Sequence, residues 1–137
     1  MGEAATQQRP VELILARGLI QHLSTPAMLV DIASTIFYYN DPAAELLGVR
    51  YEETGPMSAD ERCQRFEPID DLGRPIPRRE LPMEIALNEE RPAHRSFRIR
   101  TAGGAVRRIS TSAVPIASAG AVRGALAIFW PEDDAPA

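Results

Sequence analysis

Two glycine-marked turns divide the last third of this chain and limit what it can fold into. Gly103-Gly104 separates the strand-like stretches Ala93 to Thr101 and Val106 to Ile116, and Gly120 precedes a third stretch, Ala121 to Trp130. Tight turns join consecutive strands only when these run antiparallel, so the three stretches predict an antiparallel sheet. Upstream, Ala27 to Ile32 and Thr35 to Tyr39 are dominated by β-branched and aromatic residues. They predict two further strands, joined at Asp31-Ile32-Ala33-Ser34.

Helical signals fill the gaps. Asp41 before Pro42 reads as an N-cap followed by a proline in the first turn, and the helix Pro42 to Leu47 stops at Gly48. Pro82 opens another helix that ends near Glu90, with Leu81, Ile85 and Ala86 toward the core. Between them, Val49 to Arg79 is broken by Gly55-Pro56, Pro68, Gly73, Pro75 and Pro77. That stretch predicts short helices around Ser58 to Arg65 and irregular chain otherwise. A helix, two strands, a helical middle and three strands make an α+β domain with helices on one face of an antiparallel sheet.

The 137 residues suit a single domain. With 45% hydrophobic and 25% charged residues, a packed core needs no staples. The lone Cys63 cannot form an internal disulfide, Met1 to Pro10 is polar, and no apolar run approaches the roughly 20 residues that span a bilayer. The cytoplasm is the expected address and a membrane is not an expected partner. A net charge of −4 argues against nucleic acid. The charge is segregated: Glu52 to Glu90 holds eleven acids and five arginines, whereas Arg91 to Pro131 holds seven arginines and no acid.

Residues 1–10 read as a disordered lead-in, 11–24 as a dimerisation helix, 25–131 as the folded domain and 132–137 as an acidic tail. The helix carries two apolar stripes. Val11, Ile14, Leu15, Leu19 and Leu23 form one; Leu13, Ala16 and Ile20 form the other. One stripe can pack on the domain's own sheet, and the other then wants a partner. Leu13, Ala16 and Ile20 are assigned to a homodimer.

The order and its punctuation resemble the PAS family. Ala27-Met28-Leu29-Val30-Asp31, then Ile36, Asn40 and Ala43-Ala44-Glu45-Leu46-Leu47-Gly48 match its opening strand pair and first core helix. Asp71-Leu72-Gly73-Arg74-Pro75-Ile76-Pro77 with Glu80-Leu81-Pro82 is similar to the segment before its long helix. Val114-Pro115-Ile116 and Gly124-Ala125 resemble its last two strands. The resemblance implies a five-stranded sheet in the order 2-1-5-4-3, helices enclosing a pocket, and a sensory or docking role. Two departures stand out: Ser34 where the family usually has a hairpin glycine, and Pro131-Glu132-Asp133-Asp134 in place of its usual exit. Output is therefore expected through another chain, a signalling partner.

Cofactor chemistry finds little support. Haem needs an axial ligand, and neither His22 nor His94 lies on the helix Leu81 to Glu89 where the resemblance would place one. Arg62-Cys63-Gln64-Arg65-Phe66 resembles the light-sensing subfamily's Asn-Cys-Arg-Phe-Leu-Gln, but Arg62 replaces the asparagine and the glutamine is not in place. Haem and flavin are disfavoured. For metals, Asp70-Asp71 beside Gly73 reads as a turn. Ser110, Thr111 and Ser112 have no histidine or acid near in sequence, and Gly103-Gly104 lacks the lysine of a phosphate loop, so no enzyme is expected.

Two binding features are left. A pocket, if present, is expected to be lined by Met28, Val30, Ile36, Tyr38, Leu46, Phe66, Ile85, Ile109, Leu126 and Ile128, and to take a small apolar or carboxylate ligand. Arg98, Arg100, Arg107 and Arg108 on the last strands are expected either to be a solvated face or to meet an acidic partner or anion. The alternative to a sensor is a ligand-free interaction domain.

Overall fold

Leu13 and Ile20, on the first helix, are fully buried against the chain's own sheet. That packing sets the frame of the molecule, seen in a computed structural model that describes residues 9–132. Most of the lead-in (1–8) and of the tail (133–137) lies outside the described residues. In chain order the elements are α1 (Val11–Ile20), β1 (Ala27–Asp31), β2 (Ile36–Tyr39), α2 (Asp41–Leu47), α3 (Tyr51–Thr54), α4 (Ala59–Phe66), α5 (Pro82–Glu89), β3 (Ala93–Arg100), β4 (Val106–Ser118) and β5 (Ala121–Pro131). A 3-10 turn, Arg78–Glu80, leads into α5.

The strands form one antiparallel sheet in the order β2-β1-β5-β4-β3. β4 and β5 are joined by two residues, Ala119 and Gly120, both with positive φ, as a tight hairpin requires. Side chains alternate across the sheet. On one face, Met28, Val30, Phe97, Ile109, Ala113, Ala125, Ala127 and Phe129 meet the helical middle and α5. On the other, Ala27, Leu29, Tyr38, Leu126 and Ile128 carry α1. Burying a leucine or isoleucine side chain contributes about 1.5–3 kcal/mol, so Leu13 and Ile20 anchor α1 firmly.

This reverses one expectation. Leu13 and Ile20, with the partly buried Ala16, pack on the domain itself. The uncovered stripe is Val11, Ile14, Leu15 and Leu19, which are 57–67% exposed. Both stripes are apolar, so periodicity alone could not rank them.

The cap of α2 is also displaced by one residue. Asn40, not Asp41, occupies the N-cap and accepts from Ala43 N at 3.1 Å. Its Oδ1 also accepts from Ala27 N at 3.0 Å, and its Nδ2 donates to Ile20 O and Thr25 O at 3.0 and 2.9 Å. The amide thereby ties the end of α1, the start of β1 and the start of α2 together. Gly124 lies where α1 crosses β5: a Cβ there would stand 2.4 Å from Val30 O and 2.9 Å from Leu13 Cδ2. In α5, Pro82, Met83, Glu84, Ala86 and Leu87 are buried, while Ile85 is only half-buried. Among the described residues, no helix is long and apolar enough to cross a membrane.

Candidate functional site

Between the sheet and its helical cover lies a cavity of about 90 Å³. The sheet contributes Met28, Phe97, Ile99, Ile109, Thr111, Ala127 and Phe129. The cover contributes Leu47, Arg62, Cys63, Phe66 and Pro68, and the start of α5 adds Leu81, Pro82 and Met83. Alanines leave the space: Ala127 on the floor, paired with Met28 on β1 and Ala113 on β4, puts little volume beside Phe129 on its own strand. At roughly 30 Å³ per water, the cavity has room for about three water-sized groups.

Met28, Phe66 and Ile109 of the expected pocket line this cavity. Val30, Ile36 and Leu46 belong to the same core without lining it. Tyr38, Leu126 and Ile128 sit on the opposite face under α1, because strand parity sends the large even-numbered side chains of β5 away from the cavity. Ile85 lies in an outer groove with Arg79, Glu89 and His94.

Above the cavity is a buried polar cluster that sequence reasoning did not anticipate. Glu84, 3% exposed on α5, accepts from Arg62 Nη2 at 3.2 Å, from Arg78 Nε at 3.1 Å and from the Ser34 hydroxyl. Arg62 Nη2 also donates to Ser34 Oγ at 3.2 Å. Burial lowers the Arg62 guanidinium below its ordinary value, and the Glu84 carboxylate offsets part of that fall. The Glu84 hydrogen bond raises Arg78. Ser34 itself has φ 65°, the left-handed region where a hairpin glycine would be expected. Cys63 lines the cavity, and burial pushes its thiol up, away from the reactive thiolate.

Other expected sites resolve plainly. Asp70 Oδ1 accepts from Leu72 N and Arg74 N at 2.9 Å each, which is a turn. Among the described residues, no group of three or more His, Cys, Asp or Glu could hold a metal ion. The arginine face is largely matched by the chain's own acids: Arg98 and Arg108 share Asp71, Arg108 also holds Glu132, and Arg100 faces Glu67 at 3.5 Å. Arg107 is half-buried, paired with Ile99 across β3 and β4. The sheet also brings His94 Nε2 to 3.2 Å from Ser110 Oγ, a neighbour that sequence distance hid. Ser110 is 2% exposed on the sheet's outer face, closed to attack on a substrate.

No protein-family model and no curated protein sequence matches the chain. Solved structures do. The PAS domain of Bordetella pertussis BvgS superposes with a TM-score of 0.60 at 14% identity, over 90% of this chain and 87% of that one. A PAS domain from Colwellia psychrerythraea gives 0.61 at 15% identity, over 88% and 96%. The chain has the PAS fold. The LOV protein of Rhodobacter sphaeroides is similar too, at a TM-score of 0.69 and 15% identity, over 89% of this chain and 68% of that one. The β2-β1-β5-β4-β3 order of the sheet is thus that of the PAS fold.

Proposed function

We propose that this PAS domain is a non-catalytic sensory module in which a small molecule in the cavity sets how the domain docks to another chain, a second copy first of all. The observation that carries this is the two-sided use of one sheet. Met28 lines the cavity, while its neighbours Ala27 and Leu29 support α1 on the far side. α1 in turn leaves Val11, Ile14, Leu15 and Leu19 uncovered. A change in cavity occupancy is therefore one strand away from the helix offered for docking. The arginine face is the weaker docking candidate, because Asp71, Glu67 and Glu132 already occupy most of its guanidiniums.

One observation favours a second reading, a ligand-free docking domain. The cavity of about 90 Å³ is well below the roughly 300–1,000 Å³ of pockets for drug-sized ligands. An absorption spectrum of the purified protein, followed by native mass spectrometry, separates the readings. A colourless protein carrying extra small-molecule mass supports the sensor. A colourless, bare dimer supports the docking domain. Haem or flavin bands would overturn both in favour of a redox or light sensor.

A further inference from the structure

His94 on β3 stands at one end of a row of polar side chains on the sheet's outer face. Its Nε2 is 3.2 Å from Ser110 Oγ on β4, and Ser110 Oγ is 3.4 Å from Ser96 Oγ, back on β3. The Ser96 hydroxyl donates in turn to the carboxylate of Glu132. Glu132 is where the chain leaves the sheet: its N–H donates to Arg108 O at 2.9 Å, and its Oε1 accepts from Arg108 Nε at 2.9 Å. Protons can be counted along this row. Arg108 and Ser96 hold the Glu132 carboxyl below its ordinary range, so it stays ionised and takes the single proton of Ser96. Ser96 Oγ is then left to accept from Ser110. Ser110 has one proton too, and at 2% exposure it is closed to solvent. If that proton goes to Ser96, His94 Nε2 donates and every contact is made. If Nε2 is bare, Ser110 turns to it, and two hydroxyl oxygens face each other with no proton between them. An imidazolium always carries a proton on Nε2, whereas neutral imidazole does so in one of its two tautomers.

We infer that His94 is a pH-sensitive latch, whose imidazolium closes the row through Ser110 and Ser96 and so fastens Glu132 at the exit from β5. The device is independent of the sensory reading and holds whether or not the cavity is filled. Histidine is the side chain that changes charge between about pH 5 and 8, and His94 is exposed to solvent. The charges around it fall largely into pairs. In the groove beside α5, Arg95 faces Glu80 at 3.4 Å and Glu89 faces Arg91 at 2.9 Å, while Arg79 opposes the cation from the 3-10 turn. Across β4, Arg108 is divided between Asp71 and Glu132. The Trp130 ring, 6.1 Å from that of His94 and tilted by 33°, favours the cation over the neutral imidazole.

The test is hydrogen exchange of the Glu132 amide in the full chain, followed by NMR from about pH 5 to 8. Intrinsic exchange rates are corrected for pH, and the His94 ring is titrated in the same samples. Protection at Glu132 is expected to be about fivefold greater below the His94 titration than above it, the effect of one hydrogen bond, and to fall as pH rises through it. Ser110→Ala cuts the row. His94→Phe keeps a ring against Trp130 and removes the donor. Both variants should leave Glu132 protection flat with pH, at the lower level. His22 is untouched in both, so a pH step that survives in them belongs to another group and overturns the latch. A parent whose Glu132 protection stays flat while His94 titrates overturns it equally. Should the buried Ser110 not tolerate alanine, His94→Phe decides alone, because that site is exposed.

Discussion

The Ser34 hydroxyl, in the β1–β2 turn, donates to Glu84 Oε2 on α5, fifty positions further along the chain. The bond holds a non-glycine residue at φ 65°, a conformation that costs about 1–3 kcal/mol for a residue with a Cβ. Ser34→Ala keeps the strain and loses the bond, whereas Ser34→Gly loses both. In urea denaturation, Ser34→Ala is expected to cost about 2 kcal/mol and Ser34→Gly less than half of that. Equal losses would mean that the turn is not strained by its side chain.

Glu84 itself is the keystone of the cluster. Glu84→Ala strands the buried Arg62 cation, and breaking a buried pair from one side costs about 3–5 kcal/mol. Arg78 is partly exposed, with Asp60 as a second partner, so Arg78→Ala should cost under about 1 kcal/mol. The two variants compared by thermal melting give the ranking. An Arg78→Ala loss as large as that of Glu84→Ala would contradict it.

Asn40 offers a sharper test of one amide. Asn40→Asp preserves shape and the cap acceptor to Ala43 N, but turns two donors into an acceptor facing Ile20 O and Thr25 O. The variant should lose about 2–4 kcal/mol at neutral pH, because a buried unpaired polar group carries its full desolvation cost. Hydrogen exchange should show the loss first at the end of α1 and the start of β1. A variant as stable as the parent would show that the amide donors carry no weight.

Much of this fold was legible in the chain. Gly103-Gly104 and Gly120 fixed two hairpins, and Pro42 and Gly48 bracketed α2, because turns and caps are decided by residues close in sequence. The failures share a physical cause. Which stripe of α1 packs inward depends on Gly124, over a hundred residues from Leu13, allowing close approach. The cavity depends on strand parity and on alanines, which carry little hydrophobic signal, so Leu126 and Ile128 drew attention that Ala127 and Phe129 merited. Ser34 was visible as a missing glycine, but only the fold brings Glu84 to it.

Asp70 gives a pH dependence with a definite sign. Its carboxylate accepts from the Arg74 amide above all, then from Leu72 N and the Arg74 guanidinium, and these hold it below its ordinary value of 3.8. A folded pKa below the unfolded one means that the carboxylate's stabilising contribution is complete above about pH 5 and is lost as pH falls through the folded value. Asp70→Asn keeps an acceptor for both amides and removes only the charge. The Tm difference between parent and variant should therefore be largest above pH 5 and shrink toward pH 2. A difference that is flat with pH would remove Asp70 from the acid limb.

The uncovered stripe of α1 makes the prediction closest to function. Leu15 and Leu19 are 67% and 64% exposed and lie one helical turn apart, with Val11 one turn before them. An apolar row of this kind in water favours association, and two copies of one helix offer each other the same row. Leu15→Glu with Leu19→Glu should leave the melting temperature of the isolated domain nearly unchanged, since neither side chain packs on the sheet. The same pair should convert a dimer into a monomer in size-exclusion chromatography with light scattering. Leu13→Glu, by contrast, should unfold the α1 contact outright, because Leu13 is fully buried against β5. A parent that is already monomeric at high micromolar concentration would move the stripe from a self-interface to a surface for a different chain.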